Sequence, residues 1–214
     1  MKKILSLIVL LGFSLKSNAA LINFDAFSNG DGLAAYDAST NLVWLDLSET
    51  TGLSYNDALT TINAIDSDWR YATNAEVNAL TAKMFPSYAP NHALQYQINC
   101  PAGESCYTEA EAWLDVLGVT PDISNDQVQY SFGFYSDENN VLRMSGTRIN
   151  FITEFANLYG ESFAVDYNFY RNRGSLYNYG SFLVKEGVVE ASAPSALGLL
   201  AFGLIALRVR RRKS

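Results

Sequence analysis

The sequence predicts a single α+β domain with three short helices and mainly antiparallel strands. In the first half of the chain, three segments combine helical spacing of apolar residues with an N-terminal capping signal. The second half consists mostly of short alternating stretches separated by turn residues. Because helices and strands are segregated along the chain, this pattern favours an α+β fold over an alternating α/β fold.

Each predicted helix follows a Ser or Thr whose side-chain oxygen can accept free N–H groups of the first turn. The caps are Ser54, Thr73 and Thr108, and Gly118 is expected to end the third helix. An acid three residues after each cap favours the positive helix end, so these carboxylates are assigned to capping rather than to catalysis. The expected inward faces are Ala58, Leu59, Ile62 and Ile65, then Val77, Leu80 and Met84, then Ala112, Trp113, Val116 and Leu117.

The other apolar stretches have the length and spacing of β-strands. In residues 163–170, aromatic and branched residues alternate with smaller or polar ones, which is the period of a half-buried strand. Residues 171–174 (Arg-Asn-Arg-Gly) then indicate a hairpin turn. The expected strands are 21–27, 33–36, 42–46, 127–135, 141–149, 163–170 and 176–185.

The N-terminus has the organisation of a secretory signal peptide. Lys2 and Lys3 precede an apolar run, and Ser17-Asn18-Ala19 supplies small residues before an expected cleavage between Ala19 and Ala20. An uncleaved anchor is the alternative, but about a dozen apolar residues is short for a span of ~20. The expected parts are therefore a signal peptide (1–19), an acidic extracytoplasmic domain (20–190) and a C-terminal sorting signal or membrane anchor (191–214).

The C-terminus combines a short motif, a short apolar run and a basic end. Residues 196–207 are apolar or glycine and cover about 18 Å as a helix, against a hydrocarbon core of ~30 Å. The motif is Ser192-Ala193-Pro194-Ser195, and the basic end contains Arg208, Arg210, Arg211, Arg212 and Lys213. The tail resembles the Ser-Ala-Pro variant of the PEP-CTERM sorting signal of Gram-negative bacteria. The resemblance implies processing by an exosortase-type membrane protease; a plain tail anchor is the alternative.

The segment between the two ends is strongly acidic. All 22 Asp and Glu lie between residues 20 and 192, against 7 basic residues, which gives this part a net charge of −15. Such a surface repels phosphate backbones, so nucleic acid is excluded as a partner class. The basic residues are Arg70, Lys83, Arg143, Arg148, Arg171, Arg173 and Lys185.

Few residues suggest catalysis or metal binding. Cys100 and Cys106 are expected to form a disulfide that pins a small loop, because an exported chain is oxidised and His92 is its only histidine. That lone histidine also makes a Ser-His-acid triad a poor hypothesis. Calcium remains open as a cofactor at residues 137–140, or at Asp122 with Asp126, although solvated turns explain both. Paired carboxylates leave glycoside hydrolysis as an alternative.

A second resemblance comes from three stretches of the first half. They are residues 41–46 (Asn-Leu-Val-Trp-Leu-Asp), 54–58 (Ser-Tyr-Asn-Asp-Ala) and 68–77 (Asp-Trp-Arg-Tyr-Ala-Thr-Asn-Ala-Glu-Val). Together they resemble the Lcl C-terminal domain family, a bacterial extracellular module, and residues 182–185 resemble its last strand. The resemblance implies a C-type-lectin-like fold and, for some members, binding of sulfated glycans. At −15, a polyanion would need a local basic cluster, for which Arg171 and Arg173, with Arg143 and Arg148, are the best available residues.

The expected ligand-binding residues lie around the predicted C-terminal hairpin. Tyrosines flank its turn, and its asparagines supply amides suited to sugar hydroxyls, although strand propensity also explains the tyrosines. The candidates are Tyr170, Arg171, Asn172, Arg173, Tyr177 and Tyr179. Trp44, Trp69 and Trp113 sit inside helix, strand or turn patterns and are assigned to the core.

These observations predict an exported, non-enzymatic protein of the cell surface or of an extracellular (biofilm) matrix. Its expected partners are signal peptidase, the exosortase-type protease, extracellular polysaccharide and, at least transiently, the membrane through the C-terminal helix. No catalytic or metal-ligating residue is expected. The alternatives are a carbohydrate-active hydrolase and a purely structural matrix component.

Overall fold

Three α-helices and two β-sheets make up the described part of the chain, which confirms the predicted α+β class. The computed structural model describes residues 21–87, 98–120, 127–162 and 179–187. The helices are α1 (Tyr55–Asn63), α2 (Asn74–Met84) and α3 (Ser105–Leu117), with a 3₁₀ turn at Leu47–Thr50. The strands are β1 (Ile22–Phe24), β2 (Ala34–Asp37), β3 (Leu42–Leu45), β4 (Arg70–Tyr71), β5 (Ile98–Pro101), β6 (Val128–Ser136), β7 (Leu142–Asn150), β8 (Phe155–Ser162), β9 (Gly180–Ser181) and β10 (Leu183–Glu186).

Both sheets have five strands and are mainly antiparallel. The first sheet has the order β1-β2-β3-β10-β4, and the second has the order β5-β8-β7-β6-β9. All described pairings are antiparallel except β6 with β9, which is parallel. The helices α2 and α3 cover one face of the second sheet, where Trp113 donates its indole N–H to Ser131 and Thr81 is hydrogen-bonded to Ser145.

The chain passes from the second sheet to the first at Phe182. Its N–H donates to Phe134 O in β6 (2.9 Å), and its carbonyl accepts from Ala72 N beside β4 (3.0 Å). The single strand predicted over residues 176–185 is therefore two short strands in different sheets. The reason is that a strand cannot pair in two sheets at once, so the ladder breaks where the backbone turns between them.

The Phe182 ring fills the space between the sheets and α3. It is 1% exposed and makes edge-type contacts with Trp44, Trp113 and Tyr135 at centroid distances of 6.2, 6.1 and 6.1 Å. Aromatic pairs favour this geometry because the positive edge of one ring meets the negative face of another. The same cluster buries Trp44 and Trp113, and Trp69 lies in a neighbouring cluster, so all three tryptophans are in the core.

Two of the three helix starts are confirmed. Ser54 accepts from Asp57 N, and Thr73 forms a reciprocal capping box with Glu76. The third was placed too late: Glu104 is the N-cap of α3, and Gly118 follows its last residue. Its buried residues include Ala110, Trp113, Leu114 and Leu117, whereas Ala112, expected to face inward, is exposed.

Other differences concern short or amphipathic segments. Ile65, expected in the core, lies beyond the end of α1 and is 65% exposed. The strands β5 and β8 and the 3₁₀ turn were not predicted, although they pair or pack as regular elements. The predicted strand at 163–170 and the hairpin turn at 171–174 lie outside the described residues. None of the helices within the described ranges is long and apolar enough to cross a bilayer.

Truncating the ring that joins the two sheets should be costly. We expect Phe182→Ala to lower the free energy of unfolding by about 3–5 kcal/mol, because it removes a buried ring between three aromatic side chains. Urea unfolding followed by tryptophan fluorescence measures the change. The matched control is Phe24→Ala at the edge of the first sheet, where the ring is 37% exposed and the expected loss is about 1 kcal/mol. Equal losses for the two variants would show that Phe182 has no special role.

Candidate functional site

The structure describes only part of the site expected from the sequence. Tyr179 is described, and its ring packs on Phe132 and Phe134 at centroid distances of 5.8 and 5.3 Å. The other expected ligand residues, Tyr170, Arg171, Asn172, Arg173 and Tyr177, lie outside the described residues. So do the signal cleavage site, the sorting motif and the basic tail. The predicted disulfide between Cys100 and Cys106 is present and ties β5 to the first turn of α3.

Four of the five basic side chains in the described part of the chain form ion pairs. These pairs are Arg70–Glu76, Lys83–Asp37, Arg143–Asp137 and Lys185–Asp66, with N–O distances of 2.6–2.9 Å. The Arg70 guanidinium holds the pKa of Glu76 at about 2, against the opposing effect of burial, and Lys185 lowers the pKa of Asp66. These cations are therefore already neutralised by partners within the domain.

Arg148 is the fifth basic residue, and its guanidinium has no partner among the described residues. Its Nε–H is buried and donates to no acceptor in the described ranges, while the residue as a whole is half-buried. A buried donor without an acceptor typically costs about 1–3 kcal/mol. A half-buried cation without a carboxylate is unusual in a domain with a threefold excess of acids, and it marks this position as a candidate binding site.

Cross-strand pairing places three polar residues in one row with Arg148. Its backbone partners are Tyr130 on β6 and Asn157 on β8, and Asn157 is in turn paired with Asn99 on β5. Side chains of directly paired residues point to the same face of a sheet. The four residues Tyr130, Arg148, Asn157 and Asn99, here called the Arg148 row, therefore cross the second sheet on the face opposite α2 and α3. Within the row, Asn157 Nδ2 donates to Asn99 Oδ1 (2.6 Å).

The neighbouring rows on this face are aromatic or apolar. On one side, Phe132 lies 6.1 Å from Tyr130 between ring centroids and is paired with Gly146 across the ladder. A Cβ on Gly146 would lie 2.0 Å from Ser131 O and 2.8 Å from Phe132, so only glycine allows this close approach. On the other side, Phe155 is 43% exposed. Phe132 is 4% exposed and Asn157 is 5% exposed. The accessible groups of this face are therefore the Tyr130 ring and phenol, the Arg148 guanidinium, the Asn99 amide and the Phe155 ring, a combination suited to a sugar.

Tyr130, Asn157 and Asn99 were not among the candidates from the sequence, although the predicted hairpin could have identified Tyr130. The turn at residues 137–141 was recognised between the two strands that became β6 and β7. A hairpin centred on that turn pairs Tyr130 with Arg148, as observed. Asn157 and Asn99 had no such signal, because β5 and β8 were not recognised as strands.

A separate groove of about 1120 Å³ lies between α2, α3 and the end of the first sheet. Its floor is apolar and includes Leu42, Trp44, Leu80 and Val116. Three of the carboxylates that line it are engaged: Asp37 binds Lys83, Glu76 binds Arg70, and Glu109 accepts from Ser87. Despite burial, the Lys83 ammonium and Ser39 keep the pKa of Asp37 below its usual value, so Asp37 stays ionised. Asp37 and Glu76 are therefore held in ion pairs at the edge of the groove.

Asp46 is the described carboxyl with a raised pKa. Burial raises its pKa to about 6, with further contributions from the charges of Glu49 and Asp31. Its Oδ1 is buried without a hydrogen-bond partner, and it lies where β3 meets the 3₁₀ turn and the end of α3 at Gly118. It does not line the groove. Because folding raises its pKa, the protonation state of Asp46 affects the stability of the folded domain.

The turn considered for calcium is held by its own hydrogen bonds. Asp137 accepts from Asn139 N and Val141 N and is paired with Arg143. Despite burial, these contacts lower the pKa of Asp137, which uses its carboxylate oxygens within the hairpin. In the described ranges no group of three or more His, Cys, Asp or Glu is placed to hold a metal ion. Asp122 and Asp126 lie outside those ranges.

Comparison with known proteins gives no match, either to protein-family models, to curated proteins or to solved structures. The functional argument therefore rests on the geometry of the Arg148 row and on the residues of the chain itself.

Removing the charge of Asp46 should stabilise the domain at neutral pH. The folded state raises the pKa of Asp46 above that of the unfolded chain, so ionisation opposes folding at pH 7 and ceases to do so as the pH falls towards 4. We expect Asp46→Asn to gain on the order of 1 kcal/mol at pH 7.5, since partial exposure screens the effect, with the gain shrinking towards pH 4. Urea unfolding across pH 4–8 measures it.

The control for this experiment is Asp68→Asn, which removes an exposed carboxylate between α1 and β4 and should leave stability nearly unchanged. A gain for Asp46→Asn that is the same at pH 4.5 and pH 7.5 would contradict the proposed burial of charge at Asp46.

Proposed function

We propose that this chain is an exported, non-enzymatic protein of the cell surface or extracellular matrix that binds glycan through the outer face of its second sheet. The observation that carries the binding proposal is the Arg148 row, with its unpaired guanidinium among aromatic side chains. The two chain ends support the location: a signal-like N-terminus and a PEP-CTERM-like tail, which implies an exosortase-type protease as processing partner.

Sugar binding at this face is supported by complementary chemistry. A sugar ring has an apolar face of C–H groups and an edge of hydroxyls, which suit a half-buried tyrosine ring and amide groups respectively. Tyr130 is half-buried, and Asn99 is exposed at the far end of the row. The face is built on three long paired strands, β6, β7 and β8, and such rigid support keeps the cost of ordering side chains on binding low.

A C-type-lectin-like arrangement is part of this proposal and is supported by the first sheet. The stretches that resemble the Lcl C-terminal domain form β3, α1, β4 and the start of α2. The closing strand β10 pairs with both β3 and β4, so two of these stretches are neighbours in space. Arg70, within the resembling Trp-Arg stretch, pairs with Glu76 of the α2 cap and so has a structural role.

The proposed export and tail processing predict the mass of the protein recovered from the surface of the producing cells. We expect a chain that begins at Ala20 and ends between Ser192 and Ser195, with or without an added group. Intact-mass spectrometry of this material is the measurement. A chain that still ends at Ser214 would contradict processing of the tail and would indicate a membrane-anchored protein instead.

The proposed glycan binding predicts signals on a glycan array that depend on Tyr130. We expect Tyr130→Ala to weaken binding by about tenfold, because it removes the aromatic surface beside the sugar. Tyr36→Ala is the matched control, since Tyr36 lies on the first sheet and packs against Phe24. An array that stays blank for the wild-type chain, with and without added calcium, would rule out glycan binding.

A further inference from the structure

We propose that the Arg148 row binds a carboxylate-bearing sugar, that is, a uronic acid residue of a glycan. This inference rests on the proposed glycan binding and adds the chemical class of the sugar. It follows from three observations: a guanidinium without a protein partner, polar neighbours that reach across four strands, and the absence of an acid from its surroundings on the sheet.

The first observation is that Arg148, alone among the basic residues in the described part of the chain, has no carboxylate partner. The other four basic side chains each have a carboxylate within 2.9 Å. With acids so abundant, an arginine on a long central strand would readily acquire a partner if its role were structural. A planar guanidinium binds a carboxylate through two parallel hydrogen bonds, so a ligand carboxylate would supply the partner that the domain does not.

The second observation is that the residues paired with Arg148 suit the rest of a sugar ring. Tyr130 on one side provides an aromatic surface and a phenol. On the other side the exposed Asn99 provides an amide, and Asn157, which is 5% exposed, donates its Nδ2 to Asn99 Oδ1. The exposed ring of Phe155 lies one row further along the sheet, beside Asn150 and Pro101. A ring carrying one carboxylate and several hydroxyls matches this order of groups across the strands.

The third observation concerns charge. The strand registers place Val128, Asn150, Phe155 and Pro101 in the row on one side, and Phe132, Gly146 and Tyr159 in the row on the other. None of these residues is acidic, so the sheet surface around Arg148 does not repel an anion locally. The domain as a whole is at −15, however, and repels densely charged chains at longer range. One guanidinium in this setting favours a glycan with a single or widely spaced carboxylate over a polysulfated one.

The test compares three short oligosaccharides that differ only at the terminal sugar: glucuronic acid, glucose and glucose 6-sulfate. The protein is the chain as recovered from the producing cells, and isothermal titration calorimetry gives the affinities. We expect the glucuronic acid form to bind at least tenfold more tightly than the glucose form, with the difference shrinking at high salt. The glucose 6-sulfate form should not exceed the glucuronic acid form.

Variants at position 148 link this preference to the row. Arg148→Gln should remove the preference for the acid while leaving weak binding of the glucose form, and Arg148→Lys should retain part of it, since it keeps the charge but loses the planar fork. The matched control is Arg70→Gln, which removes the same charge from an exposed pair elsewhere and should leave the preference intact. The urea midpoint of Arg148→Gln should not fall, because the guanidinium has no hydrogen-bond partner among the described residues.

The outcomes separate the two proposals. Equal affinity for the glucose and glucuronic acid forms would overturn the carboxylate inference while leaving glycan binding in place. Tighter binding of the sulfated form would also overturn it, in favour of a sulfate site. A preference for the acid that survives Arg148→Gln would place the carboxylate elsewhere. No binding of any of the three forms, nor of any array glycan, would overturn glycan binding itself.

Discussion

The fold depends on the passage of one residue, Phe182, between two sheets. The backbone of Phe182 is hydrogen-bonded to β6 in the second sheet and to Ala72 beside β4 in the first. Its ring then occupies the space enclosed by Trp44, Trp113 and Tyr135. The strand before this residue, β9, belongs to the second sheet, and the strand after it, β10, belongs to the first. The two sheets therefore cannot shift relative to each other without breaking backbone hydrogen bonds or opening the aromatic cluster.

This passage requires glycine at two positions, one against the Phe182 ring and one against the backbone of the 3₁₀ turn. A Cβ on Gly133 would lie 2.6 Å from the Phe182 ring and 2.7 Å from Leu47, and a Cβ on Gly180 would lie 2.1 Å from Leu47 O. Gly133 therefore fixes which face of β6 is turned towards the core. Because side chains alternate along a strand, the face of β6 that carries Tyr130 and Phe132 must point the other way. The position of the candidate site is thus a consequence of the packing around Phe182.

The sequence predicted those elements whose signals are local. The caps at Ser54 and Thr73 and the alternation of β6 and β7 depend on neighbouring residues, and these elements were recognised. The start of α3 was misplaced because Glu104 forms no side-chain cap there, whereas Thr108 has a capping pattern inside the helix. The strands β5 and β8 are defined by pairing partners far along the chain, and a short segment such as 98–101 carries too few residues to show a period. For the same reason, the sequence could not show that Asn157 and Asn99 lie in one row with Arg148.

The pairing of charges distinguishes the basic residues that stabilise this domain from Arg148, for which we propose a role in binding. An acidic domain stabilises its few cations by giving each a carboxylate, as at Lys83 with Asp37 and Lys185 with Asp66. Ion pairs of this kind do little for stability when exposed, but leaving one partner half-buried and alone has a definite cost. Arg148 carries that cost on the central strand β7, where a polar uncharged residue would avoid it. Since nothing within the described fold is gained from its charge, the benefit is expected in a bound state, where a ligand anion would complete the hydrogen bonding that the folded chain leaves open.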